Sequence, residues 1–252
     1  MSVGRTAIVT GAASLRGIGR RTGDKLAAEG WALAILDIDG DAAEAAAAEI
    51  ATRHGVEARG HRCDVTSERD VEQAFAAVET TLPPVGALVN NAGITSPTRF
   101  AEVSIGEWER VMRVNVHGSF LATRRAMPGM VARGFGRVVM LSSVSAERGG
   151  GVFGGVAYSA AKAALLGFAR ALAREVGPHG VTVNSVAPGL IDTDITAGKL
   201  NPERRARLIA EIPVNRSGTT DDVADVVAFL CRPSTAFVTG ATWDINGGSH
   251  IH

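Results

Sequence analysis

Cysteine is nearly absent from the chain. Its two residues, Cys63 and Cys231, stand far apart among apolar neighbours, which excludes a disulfide-stapled scaffold and reads as two buried free thiols. Charge of either sign is not in excess, with 26 Lys+Arg against 26 Asp+Glu, so bulk electrostatics gives no reason to expect nucleic acid as a partner. No apolar run reaches the ~18 residues of a membrane-crossing helix, and no signal-peptide pattern precedes the first strand. A cytoplasmic protein with no membrane partner is expected. His54, His61, His117 and His179 lack metal-ligand spacing, and His250 and His252 read as a surface tail, so no catalytic metal is expected. Repeats, low-complexity tracts and linkers are also missing. With 46% hydrophobic residues in a length of 252, residues 1–252 form one domain with an extensive core.

What is present is an alternation of short β-branched runs with Ala-rich helical patterns, the mark of βαβ units and a parallel sheet. Strands are expected at Thr6–Thr10, Trp31–Asp37, Val56–Asp64, Ala87–Asn90, Arg137–Ser142, Val181–Val186 and Ala241–Ile245. Helices are expected from about Gly17 to Glu29, over Ala42–Arg53, after an N-cap box at Ser67 and Asp70, through Glu107–Arg133, and over Tyr158–Val176 and Asp221–Cys231. The strands barely alternate, so both sheet faces are covered by helices. The fold class is α/β: a single-domain Rossmann fold, a doubly wound parallel sheet of about seven strands with helices on both faces.

The loop TGAASLRGIG, Thr10–Gly19, joins the first strand to the first helix. Gly11 permits the tight turn, Gly17 and Ile18 let backbone approach a pyrophosphate, and Gly19 lets the helix pack closely, so that a diphosphate meets amide donors at a positive helix end. Asp37 closes the second strand 20 residues after Gly17, where a carboxylate binds ribose hydroxyls and repels a 2′-phosphate. Arg16 argues the other way, since a guanidinium pairs with that phosphate. Position favours Asp37, hence NAD over NADP. Asp64, with Val65 beside it, either contacts adenine or caps a helix. Asn90, Asn91, Ala92 and Gly93 follow the fourth strand at its carboxyl end, where ligands collect in such sheets.

These motifs, with Asn115, the pair Ser142 and Ser143, the YSAAK run from Tyr158 to Lys162, Pro188-Gly189 and the tail Val238–Gly248, resemble the short-chain dehydrogenase/reductase family along essentially the whole chain. The resemblance implies a nicotinamide cofactor, a catalytic set of Asn115, Ser143, Tyr158 and Lys162, and a homotetramer. It also implies that Ile191 and Thr193, in the turn after Pro188 and Gly189, bind the carboxamide. Two spacings depart from the family pattern. Five residues, not three, separate Gly11 from Gly17, and Ser143 stands 15 residues before Tyr158, whereas Ser145 stands at the usual 13. Ser143 is the choice for the hydroxyl because it ends the strand and the glycine-rich stretch after it absorbs the insertion. Ser145 stays as its alternative or as a substrate contact. Similar insertions suggest a branch acting on polyols and sugar alcohols.

Tyr158 is the chain's one tyrosine, and Lys162 follows it on the same helix face. An unperturbed phenol titrates near ~10, too high for a good base at neutrality, so the lysine cation and an oxidised nicotinamide are expected to lower it. Tyr158 then takes or returns the hydroxyl proton, Ser143 holds the substrate oxygen, Lys162 also binds the nicotinamide ribose, and Asn115 holds a relay water. Ser145, Phe153, Ser96 and Leu190 are expected in the substrate pocket. A substrate lid is expected near 190–213, with Arg204, Arg205 and Arg207 on a solvated face. The expected substrate is a small-molecule secondary alcohol or ketone, with a 3-oxoacyl-thioester reductase as the close alternative. A non-catalytic NAD(H) sensor is the alternative from another class.

Overall fold

The structure is a computed structural model describing residues 4–194 and 201–251. Strands β1 (Thr6–Thr10), β2 (Ala32–Asp37), β3 (Ala58–Arg62), β4 (Val85–Asn90), β5 (Gly136–Leu141), β6 (Val181–Pro188) and β7 (Thr242–Ile245) form one sheet in the order β3-β2-β1-β4-β5-β6-β7. Every pairing is parallel. The order reverses between β1 and β4, and ligands bind outside the strand ends at such a switch point.

Alternate side chains of each central strand feed opposite layers. Ala7, Val9, Leu33 and Ile35 face α1 (Ile18–Ala28), α2 (Gly40–His54) and α9 (Thr220–Cys231). Ile8, Leu36, Val138 and Met140 face α3 (Glu68–Thr81), α5 (Gly118–Ala132) and α7 (Val156–Val176). With both faces covered, the central strands are buried end to end, so their sequences run apolar instead of alternating. Cys63 and Cys231 are buried free thiols, each pushed up to about 12 by burial. The stretch Val156–His179 is long and apolar enough to cross a membrane. Its buried side, from Leu165 to Val176, instead packs in the sheet's core.

Helix starts follow local chemistry. Ser67 accepts from the Asp70 amide at 3.2 Å and donates to its carboxylate at 3.0 Å, the expected cap. Asp39 caps α2 and Thr219 opens α9 with a reciprocal box. The expected unbroken helix over 107–133 is divided. Helix α4 (Ile105–Met112) passes into a π-helical turn at Arg113–His117 before α5. There the Asn115 side chain donates to the Val111 and Ile94 carbonyls at 2.9 and 3.0 Å, and its own carbonyl accepts from the Ser119 hydroxyl at 2.8 Å. Side-chain partners thus stand in for the ladder bonds that a π turn displaces.

The region expected to be a lid contains α8 (Pro202–Ala210), capped by Asn201. Residues 195–200 of that expectation, and His252 of the expected tail, lie outside the described residues. Arg205 corrects the expectation of a solvated arginine face. It forms a two-pronged pair with Asp192, both contacts at 2.7 Å, and reaches the Ser217 hydroxyl at 2.9 Å, tying α8 to the turn after β6.

Candidate active site

A single cavity of about 650 Å³ runs along the carboxyl ends of the strands, from Asp37 and Ile38 at one end to Phe153 and Ile212 at the other. At its first half, Gly11 turns the chain with φ +62°, and a Cβ there would lie 2.6 Å from the Ala92 Cα. Only glycine admits both the conformation and the approach. At Gly19 a Cβ would lie 2.4 Å from the Asn91 Nδ2, so this glycine sets the packing of α1 against the loop after β4. Asn91 itself donates to the carbonyls of Thr10 and Gly11 at 2.9 and 2.6 Å, joining the two loops across the switch point. Gly17 is the N-cap of α1 and offers no side-chain cap, which leaves the helix's first amides for an anion.

Asp37 is held at the cavity edge by two backbone donors, Ala13 at 2.9 Å and Asp39 at 3.2 Å. Arg16 is not in the cavity wall. Its amide and side chain meet the Asp194 carboxylate at 3.3 and 3.9 Å, which also accepts from the Ser14 hydroxyl at 2.5 Å. The Asp64 carboxylate caps its own turn, accepting from the amide and hydroxyl of Thr66 at 2.9 and 2.8 Å, while Asp64 and Val65 still line the cavity. Pro188, Gly189, Ile191 and Thr193 line the opposite wall. A Cβ on Gly189 would come 2.9 Å from the Asn246 backbone, so glycine is needed where β6 meets the tail.

Between the two halves sit the proton-handling groups. The Tyr158 phenol neighbours the Ser143 hydroxyl, which accepts from the Ser145 amide at 3.1 Å. Lys162 is buried, and its ammonium donates to the Leu141 carbonyl at 2.7 Å while lying 5.7 Å from the centre of the Tyr158 ring. Burial lowers Lys162 to about 8. Burial pushes Tyr158 up, opposed by the Ser143 hydroxyl. Asn115 Oδ1 is buried without a hydrogen-bond partner. A Cβ on Gly93 would lie 2.6 Å from that oxygen and 3.2 Å from Lys162 Nζ, so both polar groups close on the open side of Gly93.

The chain matches, over residues 11–250, the family model described as enoyl-(acyl carrier protein) reductase. Over 250 residues it is 46% identical to an uncharacterized short-chain type dehydrogenase/reductase of Sinorhizobium fredii, spanning 99% of this chain and 98% of that protein. It belongs to the short-chain dehydrogenase/reductase family. Membership makes it an NAD(P)-dependent oxidoreductase. It is also similar to the 3-oxoacyl-acyl-carrier-protein reductase FabG of Aquifex aeolicus, 41% identical over 245 residues and 97% of both chains. With the acetoacetyl-CoA reductase of Allochromatium vinosum it shares 36% over 252 residues, 98% of this chain and 99% of that one.

Within this family member, the cradle made by Gly11, Gly17 and Gly93 and the orphaned Asn115 oxygen fit a nicotinamide dinucleotide. The structure gathers Asn115, Ser143, Tyr158 and Lys162 as a cluster and places Ser145, Phe153 and Leu190 in the cavity wall. Ser96 is not there: it is buried, and its hydroxyl donates to Glu107 at 2.7 Å. Arg110, Arg148 and Glu211 line the cavity without having been singled out from sequence. No periodicity marks them, because each reaches the cavity only through the packing of its short helix or turn.

Proposed function

We propose that the chain transfers hydride between a nicotinamide cofactor, NAD(H) before NADP(H), and a 3-oxoacyl thioester or its 3-hydroxy form. The observation that carries this is the half-buried Tyr158 phenol beside the Ser143 hydroxyl, both lining one cavity with the glycine loop and Lys162. Thioester substrates are favoured over polyols because relatives named for 3-oxoacyl and acetoacetyl reduction match essentially the whole chain.

The nicotinamide supplies the hydride in reduction and accepts it in oxidation. The chain's own groups do the rest. Tyr158 Oη gives a proton to the carbonyl oxygen and Ser143 Oγ donates to the same oxygen, stabilising charge as it develops. Burial favours the protonated phenol, the form that carbonyl reduction consumes. Lys162 Nζ and Asn115 Oδ1 mark the route by which a proton returns to Tyr158, with Asn115 holding a relay water. Gly11, Gly17, Ile18 and Gly19 hold the pyrophosphate end, and Asp37, Asp64 and Val65 the adenosine. Asn91, Ala92, Gly93, Lys162, Pro188, Gly189, Ile191 and Thr193 hold the nicotinamide side. A non-catalytic NAD(H) sensor would need none of this proton machinery.

The reading includes a cytoplasmic homotetramer in which the α5–α7 face, where Phe120 is 42% exposed and 6.5 Å from Phe168, meets a second copy. Light scattering on the purified protein checks the assembly. The function is tested by absorbance at 340 nm with each of the four cofactor forms, acetoacetyl-CoA, and a polyol panel. Consumption of NADH with acetoacetyl-CoA is expected. Turnover confined to polyols, or to NADP(H), would overturn the substrate or the cofactor assignment respectively.

A further inference from the structure

The charged residues of the cavity wall are segregated. Asp37 and Asp194 are bonded to the glycine loop at Ala13, Ser14 and Arg16, whereas Arg148 follows Ser143 and Ser145 on a short helix, and Arg110 also lines the cavity. Arg148 closes the short helix α6 (Ser145–Arg148), which begins two residues beyond Ser143. The chain then reverses through Gly149, Gly150 and Gly151, with φ of +74°, +63° and +124°, a sequence of turns that side-chain-bearing residues rarely adopt. Arg148 and Phe153 are thereby both kept in the wall. The guanidinium donates once, at 3.3 Å, to the Ser249 carbonyl. Among the described residues Arg148 joins no carboxylate within 4 Å, whereas Arg110 lies near enough to Glu107 for its charge to lower that carboxyl. Glu211, after α8, also lines the cavity, and it joins neither arginine in an ion pair. A guanidinium with most of its donors uncommitted, beside a hydroxyl–phenol pair, is suited to hold an anionic oxygen group in two-pronged fashion.

We infer that Arg148 selects substrates carrying an anionic oxyacid group, so that the carbonyl is presented to Ser143 and Tyr158. This deepens, and rests on, the reading of the chain as a 3-oxo compound reductase. Two sources of the anion share the chemistry: the phosphate of a phosphopantetheine carrier arm, or a carboxylate of the substrate itself.

Two matched pairs differ only in that charge: acetoacetyl-4′-phosphopantetheine against acetoacetyl-pantetheine, and acetoacetate against ethyl acetoacetate. For each pair, the ratio of kcat/KM for the charged over the neutral member is measured in wild type, Arg148→Gln and Arg148→Lys. A charge-assisted contact predicts a fall of about tenfold or more in that ratio for Arg148→Gln, with partial recovery in Arg148→Lys. A fall in the first pair assigns phosphate and a fall in the second assigns carboxylate, while unchanged ratios in both overturn the inference. If wild type turns over no 3-oxo compound, the functional reading fails separately. Calorimetric titration with 4′-phosphopantetheine and with acetoacetate then decides. Binding to wild type about tenfold tighter than to Arg148→Gln supports the inference, and equal or absent binding refutes it.

Discussion

Lys162 Nζ donates to the Leu141 carbonyl at 2.7 Å, so the middle of α7 is tied to the end of β5 by a buried cation. Burial lowers this lysine to about 8, against about 10.4 for an exposed one. Below pH 8 folded and unfolded chains both carry the proton, and the folded state bears the burial cost. Between pH 8 and 10 the folded state sheds it first, so stability rises with pH, by about 3 kcal/mol in total. Cys63 and Cys231, each pushed up to about 12, act oppositely in alkali. The quantity to read is therefore the difference in urea unfolding free energy between wild type and Lys162→Met at pH 7, 8.5 and 10. Wild type should gain on the variant as pH rises, and parallel profiles would contradict the assignment.

Tyr158→Phe should fold, bind NADH within a few-fold of wild type, and lose about 10²–10⁴ in kcat. Fluorescence titration and the 340 nm assay separate the two effects. Retained turnover removes Tyr158 from proton transfer.

The two serines are distinguished by their partners. Ser143 touches the phenol, whereas Ser145 meets Ser143 through its backbone amide. Ser143→Ala should therefore lower kcat by about 10²-fold, and Ser145→Ala should act mainly on KM. The reverse pattern would give the catalytic hydroxyl to Ser145.

Asp37→Ser removes the carboxylate that accepts from Ala13 and Asp39. The affinity for NADH should fall about tenfold, on the order of 1.4 kcal/mol, with NADPH gaining relative to NADH. A uniform loss for both cofactors would mean that Asp37 serves only to shape the loop.

Glu107 accepts from the hydroxyls of Ser96 and Thr98, both at 2.7 Å, and these hydrogen bonds hold its carboxyl below the usual range. Ser96 in turn accepts from the Gly155 amide at 2.5 Å, immediately before the helix that bears Tyr158. Glu107→Ala should lower both thermal stability and kcat, and Glu107→Gln, which still accepts hydrogen bonds, should restore kcat. Equal losses in both variants would show that the negative charge is what matters.

The layer architecture was legible because burial on both faces of a parallel sheet leaves near-continuous apolar strands, such as Ala32–Asp37 and Gly136–Leu141. The glycine loop and Asp37 were legible because close approach and a strand-end carboxylate demand particular residue types. The π turn at Arg113–His117 was not, since it adds one residue to a helical pattern that otherwise continues on both sides. Ser96 looks like a pocket hydroxyl in sequence because its partner Glu107 lies on a different element. The lysine's buried contact is hidden from the sequence for a related reason. Helical spacing puts Tyr158 and Lys162 on one face, yet the ammonium's hydrogen bond goes to Leu141, a carbonyl no pattern in α7 could announce. Arg205 was assigned to solvent on composition, whereas its partners Asp192 and Ser217 flank it from two loops.

The glycine turn after Arg148 begins and ends differently. Its start is open, with no atom within 4 Å of a Cβ on Gly149, whereas Gly155 at its end is wedged so that a Cβ would lie 2.5 Å from the Thr98 carbonyl. Substitutions at Arg148, Val152 and Phe153, which line the cavity beside the positive-φ glycines, would alter what the cavity admits while the anchor keeps the acid–base helix in register. Substrate scope and proton chemistry thus occupy separable stretches of sequence, and a library confined to positions 148, 152 and 153 is the natural place to retarget this enzyme.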